Sequence, residues 1–84
     1  MKTPASLLPK GRRLLRSLIA RGNQMLSCDV FVRGRDRYEV CIVPHWTAAP
    51  AVVESFDTAR AAIRRQTELS WLFEQSGWTR LHTR

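Results

Sequence analysis

The stretch KGRRLLRSLIARG, residues 10–22, carries five positive charges and no negative one, with Leu14, Leu15, Leu18 and Ile19 set between the arginines. Those aliphatics fall at i, i+1, i+4 and i+5, one stripe of a helix, while Arg12, Arg13 and Arg16 take its flanks and back. Gly22 and Asn23 then supply a C-terminal stop, and Arg21 sits where a cation complements the helix dipole. The spacing predicts a basic amphipathic helix over residues 10–22. A flexible leader, residues 1–9, precedes it, because Pro4 and Pro9 bar an earlier helical start.

Residues 26–43, LSCDVFVRGRDRYEVCIV, alternate in polarity on both sides of the turn RGRDR, which predicts a β-hairpin. Two registers compete. A two-residue loop, Gly34-Arg35, sets Cys28 opposite Cys41; a three-residue loop, Gly34 to Asp36 with Asp36 in the left-handed region, sets Val30 against Val40, Val32 against Tyr38 and Cys28 against Ile42. Only the second gives one clean apolar face. A one-residue slip turns every side chain over, so the hydrophobic pattern outweighs turn preference and the two cysteines are expected to be unpaired.

Downstream, PHWTAAP (44–50) reads as a loop and residues 51–56 as a strand. A helix over residues 57–76 follows, capped by Asp57 or Thr58 and ended by Gly77, and residues 78–83 read as a last strand. Ala59, Ala62, Ile63, Leu69 and Phe73 share the core side of that helix, with Gln66 and Ser70 among them. The expected class is α+β: an antiparallel sheet of three to four strands, a C-terminal-half helix on one face and a basic N-terminal helix, in the order α-β-β-β-α-β, as a single domain over residues 10–84. The sheet face turned from the C-terminal-half helix carries Phe31, Cys41 and Val43 among Asp29, Arg33 and Glu39. A face that is half apolar asks for cover, from the N-terminal helix or from another chain.

Eighty-four residues leave no room for a second core, and 44% hydrophobic with 25% charged residues excludes wholesale disorder. The net charge of +7 is unevenly spread. Residues 1–28 hold Lys2, Lys10, Arg12, Arg13, Arg16 and Arg21 with no acid, whereas the remainder is nearly balanced. A basic arm on a near-neutral body points to an anionic partner. No apolar run approaches the roughly 18 residues of a membrane span, and arginines interrupt any secretory signal. The expected location is cytoplasmic.

Cys28, Cys41, His45 and His82 are the soft metal ligands, but none shows the close spacing of a zinc site. The carboxylates show no pairing suited to acid–base work, and no glycine-rich phosphate loop exists. Neither enzyme activity, a cofactor nor a metal is therefore expected. Candidate nucleic-acid contacts are Lys10, Arg12, Arg13, Arg16 and Arg21 in the arm, with Arg33, Arg35 and Arg37 at the hairpin tip. They favour phosphate contact over base readout. Trp71 projects from the far side of the C-terminal-half helix, the side that also carries Arg60, Arg64 and Thr67. With Phe31 it forms a candidate interface for another protein or a second copy, since tryptophan and arginine dominate binding hot spots.

A short sheet followed by a helix that opens FDTARAA (56–62) resembles the small sheet-plus-helix modules at the N-termini of some phage-type integrases. That resemblance implies duplex DNA as partner. The basic segment before the hairpin and the strand after Gly77 depart from the pattern, so no contact residue is carried over.

Overall fold

The computed structural model describes residues 11–47 and 53–83. Five antiparallel strands, β1 (Arg12–Arg21), β2 (Gln24–Gly34), β3 (Arg37–Pro44), β4 (Val53–Phe56) and β5 (Thr79–Thr83), lie in the order β4-β3-β2-β1-β5, and one helix, α1 (Ala59–Gln75), packs on one face. The class is α+β. The leader and Lys10 lie outside the described residues, as do residues 51 and 52 of the expected strand.

The predicted N-terminal helix is not formed: residues 12–21 are strand β1, and the sheet has five strands, not three or four. The physical reason lies at its far end. Gly22 and Asn23 do not stop a helix; they are the two-residue loop of a hairpin that sets Arg21 against Gln24, with Gly22 at φ +60°. Glycine at the first central position of such a loop matches the twist of the flanking strands. Leu15, Ser17 and Ile19 then alternate toward α1 while Arg16, Leu18 and Ala20 face away. The element order is β-β-β-β-α-β.

The β2–β3 hairpin has the three-residue register. Val30 pairs with Val40, Val32 with Tyr38 and Cys28 with Ile42, and Asp36 takes φ +53°. Both cysteines are free and buried. Thr58 caps α1, its Oγ1 accepting from the Ala61 N–H at 3.1 Å, and Gly77 at φ +98° follows the C-cap Ser76.

Two apolar clusters lie under α1. Val30, Val40 and Ala62 pack with Leu15, Tyr38, Phe56 and Leu69; Ile19, Leu26 and Trp78 pack with Ile42 and Phe73. Between them runs a polar contact, since the buried Gln66 amide donates to Ser17 Oγ (2.8 Å) and to the Cys28 carbonyl (2.9 Å). Arg65 straps α1 to β4 through Glu54 (2.8 Å) and also holds Glu68 (2.6 Å).

On the second sheet face, β1 to β3 bring together Leu18, Phe31, Cys41 and Val43, as well as two carboxylates, Asp29 and Glu39, that are buried. No helix covers that face among the described residues, because residues 12–21, expected to supply one, are a strand within the sheet itself. Both buried carboxylates are ion-paired. Arg16 grips Asp29, and Arg33 (3.2 Å) and Arg37 (3.8 Å) flank Glu39.

Candidate nucleic-acid interface

Strand pairing converts a sequence-dispersed set of arginines into a cluster. Arg12 pairs with Val32 and Arg13 with Phe31, which places the start of β1 beside the end of β2 and the turn that leads into β3. Arg12, Arg13, Arg33, Arg35 and Arg37 therefore occupy one end of the sheet, opposed there by Asp36 and Glu39. Glu39 is held by Arg33 and Arg37. Arg12, Arg13 and Arg35 are exposed and have no carboxylate partner among the described residues.

The other candidates fall elsewhere. Arg16 is engaged by Asp29, whose oxygens accept from its Nε and Nη2, both at 3.0 Å, and this hydrogen-bonded pairing raises its pKa further. Arg21 lies at the opposite end of β1, its guanidinium 4.8 Å from the Trp78 ring centroid, and Trp78 is in turn stacked on Trp46 at 6.2 Å and met edge-on by Phe73 at 5.6 Å. A cation held over an indole in this way serves the fold. Arg60 stands in the first turn of α1, which begins at the arginine-rich end because Phe56 pairs with Tyr38.

The β1 arginines also have a structural use. Strand β5 pairs with β1 only over Ser17–Ala20, so the outer edge of Arg12–Arg16 has no strand partner among the described residues. Cationic side chains and a bulge, here at Leu14 between Arg13 and Leu15, are features that keep a bare edge from recruiting other strands.

The interface candidates divide. Trp71 is 54% exposed, and Arg60 and Arg64, about three and two turns before it on α1, are exposed without a carboxylate partner among the described residues. Phe31 is half-buried on the other side of the molecule and does not join them.

Chemistry that needs a reactive thiol finds no support in the cysteines. Burial pushes both thiols up to about 11; Ser70 draws Cys28 slightly the other way, while nearby Glu39 and Asp29 reinforce the rise at Cys41. Such thiols are poor nucleophiles near neutrality. Among the described residues no cluster of three or more His, Cys, Asp or Glu could hold a metal, and no helix is long and apolar enough to cross a membrane.

One feature was missed in the sequence: a cleft beside α1, lined by Leu15, Ser17, Gln66, Thr67, Ser70 and Arg80. Its signal was the pair Gln66 and Ser70, two polar residues one turn apart in an otherwise apolar stripe.

No protein-family model, curated protein or solved structure matches this chain. The likeness to integrase modules therefore stays with the helix-entry residues that carried it.

Proposed function

We propose that this chain is a non-enzymatic, cytoplasmic binding protein whose arginine-rich sheet end takes up an anionic polymer, with nucleic acid as the leading partner. The observation that carries the reading is the convergence of Arg12 and Arg13 with Arg33, Arg35 and Arg37, three of them without a carboxylate partner among the described residues. Guarding a bare strand edge would need cations on β1 alone; it would not need Arg35 at the hairpin tip. Arginines that converge without an aromatic platform between them suit phosphate contact, which is independent of base sequence.

Fluorescence anisotropy with a labelled duplex tests this. With about four phosphates contacted, affinity falls roughly 100-fold between 50 and 200 mM salt. The triple variant Arg12→Gln, Arg13→Gln, Arg35→Gln weakens binding at least about tenfold. A control with the same charge change at the opposite end, Gln24→Glu, Gln75→Glu, Thr79→Glu, has a much smaller effect. Binding that is absent at low salt, or lowered equally by both variants, rejects a local site.

A second reading rests on Trp71. An indole more than half exposed on a helix that also presents two exposed arginines without carboxylate partners among the described residues suits a protein partner or a second copy of the chain. It expects a concentration-dependent mass above 9.7 kDa by light scattering, lost in Trp71→Ala. A monomer at all concentrations removes the homodimer.

A further inference from the structure

We infer that the polymer is single-stranded nucleic acid in preference to duplex, and that the strand runs from the arginine-rich sheet end along the outer face of α1 to Trp71. This rests on the nucleic-acid reading of that end and adds the form of the partner.

Helical periodicity makes a second row of cations. At 3.6 residues per turn, Arg60, Arg64, Thr67 and Trp71 fall within about 60° of arc on α1, on the side turned from the buried Ala62, Gln66 and Ser70. All four are exposed. Both carboxylates of the helix are engaged by other residues, Glu68 by Arg65 and Glu74 by Arg80, each at 2.6 Å. Arg60 and Arg64 have no carboxylate partner among the described residues, so this face offers positive charge to an anion.

The row is continuous with the first cluster. Phe56 pairs with Tyr38, the neighbour of Arg37, so α1 starts near the arginine-rich end and leads away from it. Arg60 and Arg64 stand about 6 Å apart along the axis, and Trp71 lies about 10 Å further on. Cations come first on this line and an aromatic ring last. The Trp71 indole, 54% exposed on the side away from the sheet, has no core to join. Its π face can stack a base of any identity, which is what single-strand binders add to their backbone contacts. A duplex cannot use it, because its bases are already paired and stacked on one another. The arginines serve both forms, and the difference between the forms falls on Trp71.

Fluorescence anisotropy of the full chain tests this with a labelled oligothymidylate of about 12 nucleotides against a duplex of the same length. The single strand is expected to bind at least about tenfold more tightly, and Trp71→Ala to remove about tenfold from its affinity while Trp71→Phe keeps most of it. Stacking releases no counterions, so Trp71→Ala leaves the salt dependence in place. Arg60→Gln, Arg64→Gln instead flattens the log–log salt slope by about 1.4. All three positions are exposed, so the variants fold. If the duplex binds as well as the single strand and Trp71→Ala changes neither, while the Arg12, Arg13, Arg35 variant weakens both, the arginine-rich end stands and the single-strand inference falls. If neither oligonucleotide binds at low salt, both fall. Trp71→Ala that lowers the mass in light scattering and leaves oligonucleotide affinity unchanged assigns the indole to a protein contact, and also overturns the inference.

Discussion

Arg16 and Asp29 face each other across β1 and β2 in a two-pronged contact, Nε to Oδ1 and Nη2 to Oδ2 at 3.0 Å each, with the Asp29 side chain 1% exposed. The carboxylate sits in the middle of a sheet and has given up its water. Its charge is tolerable only while the guanidinium is there.

Arg16→Ala is therefore expected to cost about 3 kcal/mol, because it strands a buried charge. The paired replacement Arg16→Leu, Asp29→Val should be close to neutral, as a buried pair seldom outperforms a well-packed apolar one. Urea unfolding of the single and double variants checks both; equal losses would show that Asp29 is hydrated in solution.

Gln66→Leu should lower stability by about 2 kcal/mol despite adding apolar surface, since it removes the buried amide that donates to both Ser17 Oγ and the Cys28 carbonyl. Gln66→Glu should be worse, placing a carboxylate where a carbonyl and a hydroxyl oxygen await a donor. Denaturant midpoints rank the three proteins.

The cysteines predict an alkaline limit. Their thiols are raised to about 11 in the folded chain, against about 8.5 for a free thiol. The folded value lies above the unfolded one, so this contribution is complete below about pH 8.5 and is lost as pH rises through 11. Unfolding midpoints of the native chain should hold from pH 7 to 8 and fall from 9 to 11. The fall should be shallower in Cys28→Ala, Cys41→Ala.

Two glycines should behave differently. A Cβ at Gly22 would meet nothing within 4 Å, so Gly22→Ala carries only the cost of the left-handed backbone, about 1–2 kcal/mol. At Gly11, φ +102°, the same Cβ would lie 1.9 Å from the Val32 carbonyl oxygen, and the start of β1 must move away. Gly11→Ala should therefore perturb amide shifts at Val32 and Arg33, which Gly22→Ala leaves in place.

The β2–β3 hairpin was legible because every inward position from Leu26 to Ile42 is apolar or cysteine, and only one register keeps them together. Helix α1 was legible within two residues at each end, from the Thr58 cap and Gly77. Strand β1 was not, for two local reasons. The bulge at Leu14 breaks the alternation, and the central inward position is Ser17, a polar residue that belongs there only because Gln66, 49 residues away, donates to it. With those two positions obscured, the same leucines fit a helical stripe.

The candidate site divides along the same line. Each arginine and its charge could be read from the chain, as could the uneven distribution that points to an anionic partner. That Arg12 and Arg13 meet Arg33, Arg35 and Arg37, while Arg16 is bound to Asp29 and Arg21 lies over Trp78, follows from β1 pairing with β2 in the observed register. Sequence by itself determined the composition, the α+β class and the local elements whose signals lie within a few residues. Tertiary structure alone decided the state of residues 12–21 and the company of each arginine, because a strand acquires its hydrogen bonds and its neighbours from other segments, whereas a helix carries its own.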